Sequence, residues 1–236
     1  MRFLYVENYD ALSEVAADII AAQVIRKPTS VLGLATGSTP VGTYEKLIAR
    51  YMKGLLDFSK VTTFNLDEYY GLSKDDINSY HYFMMDNLFN HINVPYENIN
   101  IPSGTENDVE SECARYDSLI KEAGGIDLQL LGIGRTGHIG FNEPDEFFHN
   151  DTWLVQLTES TIEANKRFFT DSSMVPRSAI TMGIKAIMDA KEIIILAGKD
   201  KAEIVEELKK DICSPQVPAS ILHYHQNCIL ISAEND

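Results

Sequence analysis

A glycine-rich segment in the second half of the chain, LLGIGRTGHIGFNEP at residues 130–144, carries one imidazole and one carboxylate, those of His138 and Glu143. Histidine titrates near neutral pH, and a carboxylate beside it would fix its tautomer and raise its basicity. The segment therefore predicts an active-site loop that moves protons. The alternative for a lone loop histidine is a surface or structural role. The surrounding glycines favour the catalytic interpretation over this alternative.

The same segment places Gly132, Gly134 and Gly137 in the G-x-G-x-x-G order of a dinucleotide-binding fingerprint. That fingerprint requires a helix to open at the third glycine. Here Gly140 and Pro144 follow without helical periodicity. We therefore predict no nucleotide cofactor.

Another carboxylate pair, Asp67 and Glu68, closes the predicted strand VTTFNL. Adjacent strand residues point to opposite faces, so only one of the two can enter a ligand crevice. A partly desolvated carboxylate there would have a raised pKa, useful for a general base. A solvated loop carboxylate is the alternative, and the pattern alone does not decide between them.

A third segment, VLGLATGSTPVGTYEKL, runs from a predicted strand through Gly37, Ser38 and Thr39 into an amphipathic helix. We expect Thr39 to cap this helix and Pro40 to lie in its first turn. The free N–H groups and the positive end of the helix dipole would then form an anion site. A plain strand-to-helix turn is equally compatible with this segment.

Cations that could balance a bound phosphate are few, and the candidates at element ends are Arg167 and Lys201. Solvated charge is the alternative for both. His223 and His225 alternate as on a strand face, but no third ligand follows in a matching pattern. We predict that they are structural and that the chain holds no metal.

Short β-rich runs alternate with longer helical patterns along the chain. The predicted strands are 31–36, 61–66, 126–133, 191–197 and 228–232, and the predicted helices are 9–25, 40–53, 108–123, 160–168 and 199–210. This alternation is typical of an α/β fold, an open, mostly parallel twisted sheet with helices on both faces. No linker or repeat divides residues 1–236, which we expect to form a single domain. In such sheets ligands bind at the carboxyl ends of strands, where the segments above lie.

Composition excludes some partners. The formal net charge of −15 would repel nucleic acid, and no apolar run is long enough to span a membrane. Three widely separated cysteines fit reduced thiols. We expect a cytoplasmic protein with a small-molecule ligand.

The motifs NLDEYYGL, GHIGFNEP and ANKRFF, in this order, closely resemble those of the glucosamine-6-phosphate deaminase family, and the resemblance covers essentially the whole chain. It implies a Rossmann-like fold of the isomerase and lactonase superfamily. It also implies conversion of glucosamine 6-phosphate and water to fructose 6-phosphate and ammonia in amino-sugar catabolism, without metal or organic cofactor.

The resemblance assigns roles residue by residue. Asp67 would shuttle the proton between C2 and C1, and His138 supported by Glu143 would open the sugar ring. The phosphate would bind at Gly37, Ser38 and Thr39, with Arg167 and Lys201 as cationic partners. Thr136 occupies a catalytic-loop position that is acidic in some members, which leaves Glu143 to orient His138.

The short C-terminus favours an unregulated monomer over the longer hexameric members of that family. Two other functions stay open. A 6-phosphogluconolactonase-like hydrolase would share the fold but need no base for a carbon-bound proton. A non-catalytic sugar-phosphate-sensing domain would need a DNA-reading module, for which a strand near residue 2 leaves no room.

Overall fold

The structure, a computed structural model, describes residues 1–166, 169 and 175–235. Its strands are β1 (Arg2–Val6), β2 (Val31–Leu34), β3 (Thr62–Asn65), β4 (Asp67–Tyr69), β5 (Ile99–Asn100), β6 (Leu128–Gly132), β7 (Trp153–Gln156), β8 (Ser178–Thr181), β9 (Ile193–Ala197) and β10 (Cys228–Ala233). Its α-helices are α1 (Tyr9–Arg26), α2 (Ser38–Met52), α3 (Tyr80–Asn87), α4 (Val109–Glu122), α5 (Glu159–Asn165), α6 (Ile184–Met188) and α7 (Ala202–Leu208).

Seven strands form one parallel sheet in the order β1-β10-β9-β6-β2-β3-β5. Helices cover both faces, because the central strands are apolar on both sides. One face packs under α1, α2 and α3, through side chains such as Leu12, Leu47 and Met84. The other packs under α4, α6 and α7, through Tyr116, Ile187 and Ile204. The predicted α/β fold is confirmed.

A second sheet, which the sequence pattern did not predict, has three antiparallel strands in the order β4-β8-β7. The strand predicted at 61–66 was expected to end with Asp67 and Glu68, and this is wrong. Its sheet pairing ends at Asn65, and the carboxylates belong to β4. Leu66 is the crossing point, since its N–H donates to Leu34 of the first sheet and its carbonyl accepts from Met182 beside the second.

Several predicted boundaries move by a few residues. The helix predicted at 40–53 begins at Ser38, and Gly37, not Thr39, is its N-cap. The helix predicted at 199–210 is a 3₁₀ turn, Lys199–Lys201, followed by α7. His223 lies in a 3₁₀ helix, Pro218–Tyr224, and not on a strand. The predicted helix 160–168 corresponds to α5, and its last residues lie outside the described ones.

The three cysteines are free thiols, as predicted. None of the helices among the described residues is long and apolar enough to cross a membrane.

Candidate active site

Sheet order brings the chemistry-bearing segments to one edge. The strands β9, β6, β2 and β3 are parallel neighbours, so their carboxyl ends point the same way. Lys201 follows β9, His138 follows β6, Gly37 follows β2 and Asp67 follows β3. This is the edge at which open α/β sheets bind ligands. Arg167, the other predicted phosphate cation, lies outside the described residues.

The turn after β2 has the geometry of an anion-binding loop. Gly37 adopts φ 101°, a left-handed conformation that favours glycine, and α2 starts at the next residue. The amides of Ser38 and Thr39 therefore belong to the first turn of a fifteen-residue helix, at its positive end. The side chains of this turn offer two further hydroxyl donors.

Tyr9 braces this turn from α1. Its phenol oxygen lies 3.0 Å from the carbonyl oxygens of both Ser38 and Thr39. The same oxygen accepts the N–H of Gly42 at 2.9 Å. One hydroxyl therefore fixes the backbone of the first turn of α2 and leaves the outward N–H groups unobstructed.

Asp67 is a desolvated carboxylate. It opens β4 opposite Thr181 and is 5% exposed. Burial, reinforced by the negative charge of Glu68, raises the pKa of Asp67 to about 8. Among the described residues its carboxylate accepts no hydrogen bond. The alternative of a solvated loop carboxylate is therefore wrong, and Asp67 has the properties that a general base needs.

The loop that carries His138 docks directly against Asp67. A Cβ placed on Gly140 would lie 3.3 Å from Asp67 Oδ2. The next amide, that of Phe141, donates to Thr181 Oγ1 at 3.1 Å, and Thr181 is the residue of β8 that pairs with Asp67. The Asp67 carboxylate at the start of β4 and the loop that carries His138 thus meet at the same edge of the sheet.

The imidazole of His138 lies in a hydrogen-bonded cluster with Glu143. Its Nδ1 is 3.1 Å from Glu143 Oε2 and 2.9 Å from Thr136 Oγ1. The Thr136 hydroxyl donates to Glu143 Oε2 at 3.1 Å, and the Thr161 hydroxyl donates to Oε1 at 2.5 Å. The predicted contact between Glu143 and His138 is present, and Thr136 joins it as a neutral hydrogen-bonding group.

This cluster fixes where protons lie. Because the Thr136 proton points to Glu143, the Nδ1 of neutral His138 carries the proton that faces both oxygens. Its Nε2 is then the basic nitrogen, and it has no hydrogen-bonding partner among the described residues. The imidazole is thereby ready to accept a proton from a ligand at Nε2.

The two carboxylates of the site are tuned in opposite directions. Burial alone would raise the pKa of Glu143, but hydrogen bonds from His138, Thr161 and Thr136 hold it below its usual value. Glu143 is therefore ionised where Asp67 is still partly protonated. Pairs of carboxyl groups separated in this way divide the work of holding and transferring protons.

Gly134 makes room for the ring. A Cβ there would lie 2.0 Å from Cε1 of His138, well inside van der Waals contact. Gly134 also donates its N–H to the carbonyl of His138 at 3.0 Å, which closes the loop. The glycines of this segment thus shape an imidazole site and not a dinucleotide turn.

Lys201 is largely buried near this loop, with 19% of its side chain exposed, and its ammonium group pairs with Asp200 at 2.8 Å. His223 Nε2–H donates to the carbonyl of Leu208 at 2.8 Å, and His225 Nε2–H donates to that of Ala190 at 2.7 Å. Both histidines therefore have structural hydrogen bonds, as predicted.

Sequence reasoning missed three residues of this edge: Tyr9, Tyr80 and Thr161. The half-buried ring of Tyr80 stacks on Phe141 at 5.9 Å, and its hydroxyl donates to that of Tyr69 at 3.3 Å, beside Thr36. The helix that carries it was not predicted, although Ser79 caps it. A capping serine before apolar residues at helical spacing was the available signal.

Comparison with known proteins agrees with this geometry. Residues 7–231 match the family described as glucosamine-6-phosphate isomerases/6-phosphogluconolactonase. A glucosamine-6-phosphate deaminase of Lachnoclostridium phytofermentans is 56% identical over 98% of both chains. One of Clostridium botulinum (strain Loch Maree / Type A3) is 53% identical over 98% of this chain and 95% of its own.

Solved structures of the same family also resemble this chain. A monomeric glucosamine-6-phosphate deaminase superimposes with a TM-score of 0.96 at 47% identity, over 99% of this chain and 98% of its own. A 6-phosphogluconolactonase from Thermotoga maritima has a TM-score of 0.76 at 19% identity, over 98% of this chain and 99% of its own. The second likeness is one of fold alone.

Proposed function

The chain belongs to the family of glucosamine-6-phosphate isomerases and 6-phosphogluconolactonases, and we propose that it is a glucosamine-6-phosphate deaminase. Such an enzyme converts glucosamine 6-phosphate and water to fructose 6-phosphate and ammonia. The observation that carries this choice is full-length identity of 53–56% to proteins of that name, against 17–20% to solved structures named 6-phosphogluconolactonase. The buried Asp67 carboxylate supports this choice, because its raised pKa suits a base for a carbon-bound proton, which an ester hydrolase does not need.

The substrate's phosphate would bind where α2 begins. The amides of Ser38 and Thr39, the left-handed turn at Gly37 and the helix dipole supply the positive potential for an anion. The Lys201 ammonium would supply a charge if it leaves Asp200 for the phosphate. Arg167 is the second proposed cation. A chain of net charge −15 needs such a local concentration of donors.

Ring opening would be the work of His138. Its Nε2 would take the proton of the anomeric hydroxyl and deliver it to the ring oxygen, while Nδ1–H stays bonded to Glu143 and Thr136. Glu143 stabilises the imidazolium that forms between the two transfers. The imidazole ends the step in the state in which it began.

Isomerisation would be the work of Asp67. In its ionised form the carboxylate takes the proton from C2 of the open-chain sugar while water protonates the C1 carbonyl oxygen, giving an enolamine, and the carboxyl group then returns its proton to C1. The proton that the nitrogen releases in the next step restores the one taken from water. The nitrogen loses a proton to leave an imine at C2. Water adds to this imine, ammonia leaves, and the ketone of fructose 6-phosphate forms. The Asp67 carboxylate is regenerated.

Purified protein with glucosamine 6-phosphate is expected to release ammonia and fructose 6-phosphate in the presence of a chelator. Deuterium carried at C2 of the substrate should appear at C1 of the product, apart from the fraction that the Asp67 carboxyl group exchanges with water. Lactone hydrolysis, or binding without turnover, would support the lactonase or the sensing domain instead. In Asp67→Asn, deuterium exchange at C2 should fall by about 10³-fold or more while phosphate-analogue binding persists. Persistent exchange would remove Asp67 from this role.

We further propose that residues 1–236 form one domain and that the protein is a monomer, as its neighbour in solved structures is described. The ligand is a small sugar phosphate. Light scattering on the purified protein would test the monomer, and a mass of two or more chains would contradict it.

A further inference from the structure

Glu68 is a buried carboxylate for which the proposed mechanism has no task. It is 2% exposed and follows Asp67 on β4, so the two side chains lie on opposite faces of the strand. Glu68 borders a cavity of about 420 Å³ that is also lined by residues of the segments 72–75 and 101–105, but not by Asp67. The two carboxylates therefore have separate surroundings.

Within residues 1–166, 169 and 175–235, all hydrogen bonds to the Glu68 carboxylate come from backbone amides. Oε1 accepts the N–H groups of Tyr69 and Tyr80, and Oε2 accepts that of His81, each at 2.8 Å. The amides of Tyr80 and His81 are the first two of α3, where a helix has free donors and the positive end of its dipole. Glu68 thus fastens α3 to β4.

The residue fastened in this way bridges two loops of the active site. Tyr80 stacks on Phe141 of the His138 loop with an interplanar angle of 5°, and its ring packs at a tilt against that of Tyr69 with centroids 4.7 Å apart. Its hydroxyl donates to that of Tyr69 at 3.3 Å and lies beside the side chain of Thr36, at the start of the proposed phosphate loop. A displacement of the amino end of α3 would therefore reach both loops.

We propose that Glu68 is a positioning residue of the active site, which holds the amino end of α3 so that Tyr80 keeps the phosphate loop and the His138 loop in register around Asp67. The inference rests on the proposed function. It assigns Glu68 no contact with substrate. Its effect passes through Tyr80 and through its own charge.

The charge of Glu68 gives the proposal a distinctive readout. The titratable groups that face Asp67 are Glu68, which raises its pKa, and the phenols of Tyr80 and Tyr116. Glu68 itself faces Asp76 as well. Burial raises the pKa of Glu68 to about 7, below the value of about 8 for Asp67, so Glu68 is already charged when Asp67 loses its proton. Removing its charge should lower the pKa of Asp67.

Two substitutions separate the effect of the Glu68 charge from the effect of its side-chain length. Glu68→Gln keeps the length but is neutral, and its amide cannot accept the N–H groups at both positions. Glu68→Asp keeps the charge but is one methylene too short to join β4 to α3. Glu112→Gln is the matched control, since Glu112 is 3% exposed, accepts the Ser103 amide and two bonds from Arg115, and among the described residues has no hydrogen bond to α3 or β4.

For Glu68→Gln we expect the acidic limb of kcat/KM against pH to move to lower pH and kcat to fall about tenfold. For Glu68→Asp we expect a similar fall in kcat with the acidic limb unmoved. Glu112→Gln should lower only Tm. If both Glu68 variants keep the kcat and pH profile of the unsubstituted enzyme and lose only Tm, the positioning role is wrong.

The pKa of Asp67, followed by carbon-13 NMR of labelled aspartate carboxyl groups, gives a readout that needs no turnover. A lower value in Glu68→Gln supports the coupling even if the protein releases no ammonia, in which case only the proposed function fails. An unchanged value, together with ammonia release by the unsubstituted protein, overturns the inference and leaves the function intact.

Discussion

Replacing Asp67 by asparagine should make the protein more stable as it becomes inactive, and the gain should depend on pH. Asp67 has an ordinary pKa of 3.8 when solvated and one of about 8 in the folded protein. The folded state therefore holds this proton more tightly. The stability that the group contributes is complete below its solvated pKa and is lost as pH rises through about 8.

The size of the effect follows from the two pKa values. Each pH unit between them costs the folded state about 1.4 kcal/mol, so ionisation of Asp67 removes about 2.7 kcal/mol between pH 5 and pH 7. Asparagine cannot ionise and loses nothing over this range. For a chain of this length that difference corresponds to about 5–10 °C in Tm. The gain should level off above about pH 8, where the native carboxylate is ionised in both states.

Asp127→Asn is the matched control. Asp127 is also buried, but its carboxylate pairs with Lys27 at 2.6 Å and Lys191 at 2.7 Å and accepts the Val31 amide, and together these hold its pKa below the usual value despite burial. Its contribution to stability is complete above its solvated pKa and is lost only at lower pH. Between pH 5 and 8 this variant should be less stable by a constant amount.

The assay is thermal unfolding of the unsubstituted protein and both variants between pH 5 and pH 8 in one buffer series. The slope of the Tm difference against pH tests whether ionisation of Asp67 destabilises the folded state, since the cost of burying an asparagine amide is the same at every pH. A flat or falling difference for Asp67→Asn would show that Asp67 is not held protonated, and the argument for a desolvated base would fail.

Two further substitutions test how the loops are built. Tyr9→Phe should raise KM for the sugar phosphate about fivefold at unchanged kcat, because the lost hydroxyl holds the first turn of α2 and its hydrogen bonds contribute about 1 kcal/mol. Steady-state kinetics measure this, and an unchanged KM would show that Tyr9 does not support phosphate binding. Gly134→Ala should lower kcat about 10²-fold, because its methyl group must push the His138 ring away from Glu143. Full activity in that variant would mean that the ring position is unimportant.

The main sheet could be predicted because its strands are buried on both faces. β9, with the sequence IIILA, is fully buried and reads as a continuous apolar run. The second sheet could not, because β4, β7 and β8 are three or four residues long and mix polar with apolar positions. Their pairing depends on the fold around them. At Leu66 the chain passes from the first sheet to the second, which places Asp67 in β4, and no sequence pattern predicts this change of sheet.

The candidate site was predictable in its residues but not in their environment. Spacing pointed to His138, Glu143 and the pair Asp67 and Glu68, and only the family resemblance singled out Asp67. Neither could distinguish a solvated carboxylate from a buried one. That distinction comes from Gly140 and Thr181, which lie far along the chain and close over Asp67 only in the folded state. Thr161 was missed for the same reason, since eighteen residues separate it from Glu143.

The opposite tuning of the two carboxylates explains why each can do only its own task. A base that takes a carbon-bound proton and gives it back must hold that proton well, and Asp67 meets this requirement because it is buried and accepts no hydrogen bond from the part of the chain that the structure describes. A group that steadies an imidazole through both directions of proton transfer must stay ionised, and Glu143 does so because three donors surround it. Thr136 fits the second task, since its hydroxyl donates to Glu143 without adding a charge. An acid at that position would compete for the same proton and oppose the ionisation of Glu143, so a neutral residue there leaves His138 with one dependable carboxylate partner.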